Sequence, residues 1–177
     1  MQTRFFAPTL GALLFVVAAA QAQDAKPPED KSKRPSPPAT ATAVVNGTTV
    51  TIDYSRPSLK GRKAFGELEP YGKVWRTGAN EATTFTVDKP VKIEGKTLPA
   101  GKYGLFTIPT ATTWTVIFNK VPNQWGAFKY KDADDALRVT VPAKKLAAPV
   151  EVFDITVDKA GKVAMKWDTT EVDFTVK

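Results

Sequence analysis

The 177-residue chain contains no cysteine and no histidine. Without cysteine there is no disulfide, so an ordinary hydrophobic core must hold the fold. The same two absences remove Ser-His-Asp and Cys-His catalysis, together with thiolate and imidazole zinc sites. Carboxylate acid–base chemistry, a Ser-Lys pair, carboxylate-bound calcium or magnesium, and binding without catalysis stay open. Long apolar runs are also scarce. Beyond Leu10–Ala20 no stretch approaches the roughly 20 residues that span a bilayer, so no stable membrane insertion is expected. Sustained helical periodicity is missing as well.

The two motifs closest to cofactor or metal sites both fail on inspection. Gly95-Lys96-Thr97 ends like a phosphate-binding loop, but the first glycine of that motif would fall on Pro90. Asp132-Ala133-Asp134-Asp135 lacks the glycine and distal glutamate of a calcium loop. No cofactor, no metal ion and no nucleic-acid partner is expected.

The N-terminus has the form of an export signal. Arg4 precedes the uncharged apolar run Leu10–Ala20, and Ala20-Gln21-Ala22 is a small-x-small cleavage site. Residues 1–22 are therefore read as a signal peptide, and the mature protein as periplasmic or extracellular. Asp24 to Pro38 carries five prolines among charged residues and almost nothing apolar. Such a composition does not offset the entropy of ordering, so residues 23–40 read as a disordered tether. Residues 41–177 form one domain of a size able to build its own core.

Period-two alternation runs through that domain. Val50, Ile52 and Tyr54 alternate with Thr51 and Asp53, and Leu137, Val139 and Val141 with Arg138 and Thr140. Phe153, Ile155 and Val157 repeat it, then Val163, Met165 and Trp167, then Val172, Phe174 and Val176. Each strand has one oily and one wet face, as antiparallel sheets on one core require. Asn46-Gly47, Glu94-Gly95 and Ala160-Gly161 mark hairpin turns. The pattern predicts an all-β antiparallel β-sandwich, jelly-roll-like or immunoglobulin-like, of about eight or nine strands. Trp114 and Trp167 sit at core positions of their strands. Trp125, in the turn-rich link Pro122–Gly126, is a candidate binding platform.

The irregular segment from Tyr54 to Thr84 is where a site belongs. It holds three of the four arginines beyond residue 40. Beyond residue 40 there are 20 basic and 15 acidic residues, and Arg56 to Arg76 supplies six basic against two acidic. Local positive charge suits an anionic group on a partner. The candidate ligand-binding residues are Arg56, Ser58, Arg62, Arg76, Thr77 and Asn80, with Trp125. Their partner would be a small polar or anionic ligand, or an envelope glycan. The competing reading makes the arginines a clasp, donating to loop carbonyls and to Glu67, Glu69 or Glu81. A carboxylate-dependent glycan hydrolase is the catalytic alternative, pairing Glu81 with Glu67 or Glu69 roughly 5–9 Å apart. Ser58 and Lys60 form a weaker Ser-Lys candidate. A third reading is an envelope assembly or protein-interaction module.

Several strings carry a resemblance. They are Tyr54-Ser55-Arg56-Pro57-Ser58, Gly61-Arg62 with Phe65-Gly66, and Trp75-Arg76-Thr77-Gly78-Ala79-Asn80 with Ala82-Thr83. Leu98-Pro99-Ala100-Gly101-Lys102-Tyr103, Ile108-Pro109, Trp114–Asn119 and Trp125-Gly126 follow. Over residues 42 to 177 the chain resembles the exported bacterial family called domain of unknown function 2911. The resemblance implies a β-rich exported protein with no established activity and no catalytic residues to carry over.

Overall fold

Alternation becomes strand almost wherever it occurs. The computed structural model describes residues 29–177. Strand β1 (Pro38–Val45) turns at Asn46-Gly47 into β2 (Thr48–Ser55). Both turn residues have positive φ, 49° and 75°, as the tightest hairpins demand. After the long irregular segment come β3 (Thr84–Val87), β4 (Val91–Ile93), β5 (Lys96–Leu98), β6 (Gly101–Pro109) and β7 (Thr113–Asn119). The chain ends with β8 (Asp135–Val157) and β9 (Lys162–Thr175). Every ladder is antiparallel, in the order β1-β2-β3-β6-β7-β8-β9, with β4 and β5 as a separate hairpin.

Strand β8 folds this sheet over on itself. Its first part, to Pro142, pairs with β7, and its remainder pairs with β9. The register slips between Lys145 and Val150 and again before Asp154, and such bulges let one strand serve two layers. The far half of β8 then meets the continuation of β2. Leu59 N–H donates to the Glu151 carbonyl at 3.0 Å, and Phe153 N–H to the Pro57 carbonyl at 2.9 Å. The Tyr54 hydroxyl pins the same junction, accepting the Ile155 N–H at 3.0 Å and donating to Asp154. On the other side, Lys92 and Lys177 exchange backbone hydrogen bonds and tie the β4–β5 hairpin to the end of β9. The result is a curled, sandwich-like closure of nine strands around one main core.

At the centre of that core Trp75 stacks on Trp167, with ring centroids 5.8 Å apart and planes 17° apart. Phe65, Trp114 and Phe153 meet them edge-on. Trp114 and Trp167 are buried as their strand positions predict. A smaller cluster of Phe106, Ile117 and Ala82, flanked by Val74, Ala127 and Tyr130, lies under the loops beside β6 and β7.

The N-terminal boundary differs from the sequence expectation. The first strand starts at Pro38 rather than beyond residue 40, and residues 29–37 before it, mostly exposed, touch the domain at a few points. Asp30 accepts the Ser32 N–H and caps a single 3-10 turn, Lys31–Lys33. Arg56 N–H donates to the Pro37 carbonyl at 2.9 Å, and the Asn80 amide donates to the Ser36 carbonyl at 2.9 Å. Composition undervalues this arm because two of its charges, Lys31 and Arg34, find a partner on the domain in Glu81. The signal peptide and residues 23–28 of the expected tether lie outside the described residues. No helix among the described residues is long and apolar enough to cross a membrane.

Gly161 closes the β8–β9 hairpin at φ +88°, and a Cβ there would stand 2.0 Å from the Val176 carbonyl oxygen. Gly95 has a similar φ of +80° with open space around it. Gly95→Ala therefore costs about 1–2 kcal/mol of backbone strain alone. Gly161→Ala adds overpacking of about 1–3 kcal/mol to that strain, or prevents folding. Urea denaturation of the two variants measures the difference, and equal losses would remove the steric argument.

Candidate functional site

The segment Trp75–Thr83 is an extruded loop. One edge of β6 is served by two pieces of chain, β3 opposite Gly101–Gly104 and Trp75 opposite Thr107. Trp75 and Thr107 exchange backbone hydrogen bonds at 2.7 and 2.9 Å, and Thr83 N–H closes the excursion onto the Arg76 carbonyl at 3.1 Å. Inside the loop, the Trp75 indole N–H donates to the Gly78 carbonyl at 3.0 Å. The Thr83 hydroxyl donates to the Thr77 carbonyl at 2.6 Å. Thr77 and Asn80 hold left-handed backbone at φ 56° and 59°. Gly78 is obligatory, since a Cβ there would lie 2.9 Å from the Ser55 carbonyl oxygen. Glycine and two small polar residues are thus what this string needs locally.

Two other segments dock on the loop. From the link after β7, Gly126 N–H donates to the Asn80 carbonyl at 3.0 Å, and the Gln124 carbonyl accepts Ala82 N–H at 2.9 Å. From the N-terminal arm come Lys31 and Arg34, which donate to the two Glu81 carboxylate oxygens at 2.8 and 2.7 Å. Arg34 also grips Glu29 at 2.6 Å, and its guanidinium carbon lies 5.8 Å from the centroid of the Trp125 ring. Only 13% of the Arg34 side chain is exposed.

Between these segments opens a cleft of about 380 Å³. Lys31, Asp53, Glu81, Lys102, Gln124 and Trp125 are among its lining residues, with Tyr54, Ser55 and Thr84. Trp125 is 56% exposed. The hydroxyl of Thr84 and the amide oxygen of Gln124 are buried without a hydrogen-bond partner, a state that native proteins largely avoid. Burial pushes the Glu81 carboxyl up, but hydrogen bonds from Lys31 and Arg34 prevail and bring it to about 2.

The arginines singled out in the sequence do not converge on this cleft. Arg56 pairs with Asp154 at 3.1 Å and donates to the Phe153 carbonyl. Arg62 donates to the carbonyls of Leu59 and Ser58 in its own turn, while Ser58 bridges to Val152 of β8. Arg76 makes no ion pair or side-chain hydrogen bond among the described residues, and its Nε is buried without a partner. Glu69 lies close enough to feel its charge. Thr77 is fully buried against the Thr107 hydroxyl at 3.1 Å. Asn80 holds the arm, and Glu67 accepts Lys63 N–H nearby. Of the candidates from both readings, only Glu81 and Trp125 line the cleft. Lys31, Arg34 and Lys102 were missed, the first two because composition assigned them to a tether. Asp53 was visible as a wet-face residue of β2, but nothing in the spacing joins it to Trp125.

The model of the family described as "Protein of unknown function (DUF2911)" matches residues 36–176. No curated protein and no solved structure matches the chain.

Two carboxylates here titrate with opposite signs. Glu81 ionises near 2 against an ordinary 4.5, so its stabilisation is complete above about pH 4.5 and disappears as pH falls toward 2. Burial raises Glu69 to about 7, with Arg76 opposing, so its contribution is complete below about pH 4.5 and is lost as pH rises through 7. Glu81→Gln should flatten the acid limb of the stability curve by no more than about 1 kcal/mol, because the pair is partly exposed. Glu69→Gln should flatten the decline between pH 4.5 and 7. Urea midpoints from roughly pH 2 to roughly pH 8, a window that takes in the acid limb of Glu81 and the rise through the Glu69 transition, check both, and an unchanged profile in either variant would contradict its assignment.

Proposed function

The chain belongs to the DUF2911 family, and we propose that it is an exported, non-catalytic module that binds a small sugar-like ligand in the Trp125 cleft. One observation carries the reading: an exposed indole lines a ligand-sized cleft in which buried polar atoms have no partner. The apolar face of a pyranose stacks on an aromatic ring, while its hydroxyls both donate and accept. Lys31 and Lys102 supply donors in the cleft, and Asp53 and Glu81 supply acceptors. The mixed signs favour a neutral or weakly charged glycan fragment over a phosphate. Export is supported by Arg4, the apolar run after it and Ala20-Gln21-Ala22.

Hydrolysis fits less well. A glycosidase needs one carboxyl whose proton is retained near neutral pH for the leaving oxygen. Glu81 is shifted the other way, to about 2, and is already bound by two cations. Its proposed partners Glu67 and Glu69 do not line the cleft.

The test is a titration of the purified protein with mono- and disaccharides and cell-wall glycan fragments, read as thermal shift and as displacement of the Trp125 indole resonance. Binding should be saturable, lost in Trp125→Ala, and retained in Arg76→Ala, which lies outside the cleft. Trp125→Ala with undiminished binding, or no saccharide perturbing Trp125, would overturn the assignment.

A further inference from the structure

A second cavity, of about 220 Å³, shares no residue with the Trp125 cleft. It opens where β8 and β9 lose their regular pairing. Lys145 and Thr170 are directly opposed just before the register slips, and two residues earlier Asp168 turns the backbone through φ 52°. Both residues line the cavity, with Thr169, Lys144, Tyr71 and Trp114 among their neighbours. A bulge at such a place re-aims side chains away from the ladder.

The polar side chains of the lining are lysines, threonines, Tyr71 and the Trp114 indole, beside the apolar Phe65, Ala111 and Ala143. No carboxylate belongs to it. Lys144 is held by Asp173, whereas Lys145 makes no ion pair among the described residues. Trp114 is 2% exposed, and its indole N–H is buried without an acceptor. The nearest aromatic group is the Phe65 ring, edge-on with centroids 4.7 Å apart. An indole nitrogen only donates, so what it lacks is an oxygen.

We propose that this cavity binds a compact anion with acceptor oxygens, a carboxylate or an oxoanion of phosphate size. The Lys145 ammonium supplies the charge, the Thr169 and Thr170 hydroxyls supply adaptable donors, and the Trp114 N–H receives its missing acceptor, while the Thr110 hydroxyl is already committed to the Thr113 carbonyl. The volume excludes bulky ligands, since at ~30 Å³ per water-sized group it holds roughly seven. This site is independent of the saccharide reading, and either can fail alone.

Nitrogen-labelled protein reports on it directly, because the chain has only four tryptophan indoles. The purified protein is titrated with sodium phosphate and, separately, sodium acetate, each against sodium chloride at matched ionic strength. The Trp114 indole resonance should move saturably with one or both oxygen anions and not with chloride, the two arms separating oxoanion from carboxylate. Lys145→Ala, at an exposed position, should weaken binding roughly tenfold. Trp114→Phe keeps the aromatic bulk and should abolish the binding, read in that variant on the backbone amides of Thr169 and Thr170. Shifts that follow chloride equally, or unchanged affinity in Lys145→Ala, would overturn the proposal even if Trp114→Phe fails to fold.

Discussion

The junction between Trp75 and β6 is the constraint on which the rest of the structure depends. Its indole is stacked in the aromatic centre of the core while its backbone is bonded in both directions to Thr107. With that point fixed, and with β3 fixed to the same strand edge, the residues from Arg76 to Ala82 have no sheet to join, β6 being regained only where the Thr83 carbonyl accepts Leu105 N–H. Their backbone groups must be satisfied otherwise, since unpaired buried amides and carbonyls are costly. The Trp75 N–H, the Thr83 hydroxyl and the Asn80 carbonyl do part of that work. Link and N-terminal arm then both stack on the loop and satisfy its polar groups, the link at Asn80 and Ala82 and the arm at Asn80 and Glu81. The cleft is the space this stacking leaves open.

Electrostatics closes the stack from outside. Glu81 leaves the loop, and two cations from the arm meet it there. Exposed pairs of this kind are individually weak, but Arg34 also holds Glu29 and lies beside Trp125 with most of its side chain covered. Several modest contacts on one guanidinium can order an arm that has little apolar surface of its own. The same arm supplies Lys31 to the cleft wall. The arm therefore both covers the loop and completes one wall of the candidate cleft.

The legible parts of this protein were local. Alternation revealed the antiparallel strands and the buried faces of Trp114 and Trp167, and Asn46-Gly47 revealed its hairpin because positive φ is a property of the residues themselves. Leu137–Val141 and Phe153–Val157 read as two strands, yet they are the ends of one 23-residue strand that runs through Pro142 and Pro149. Pro149 falls inside the first register slip and is the one local sign of it, because proline lacks the ladder donor. The arginines mislead for a similar reason. Density along the chain suggested convergence, whereas Arg56 and Arg62 bond to carbonyls close to where they emerge. The partnership of Arg34 with Glu81 spans 47 positions, a distance over which composition carries no information.

Unsatisfied polar atoms are the most discriminating feature that remains. Among the described residues four buried side-chain atoms have no partner: Arg76 Nε, Thr84 Oγ1, Trp114 Nε1 and Gln124 Oε1. Three of the four belong to residues lining one of the two cavities. In a closed core each would be a defect, and native proteins keep such defects few. Beside a cavity each is a demand that a small molecule or water can meet. Gln124 narrows the demand further, because its amide nitrogen is committed to the Val121 carbonyl at 2.7 Å and leaves only the oxygen unpaired. A ligand of the kind proposed for the Trp125 cleft would have to donate to Gln124, and one proposed for the second cavity would have to accept from Trp114. The two openings differ in chemistry as well as in position, so one ligand does not satisfy both.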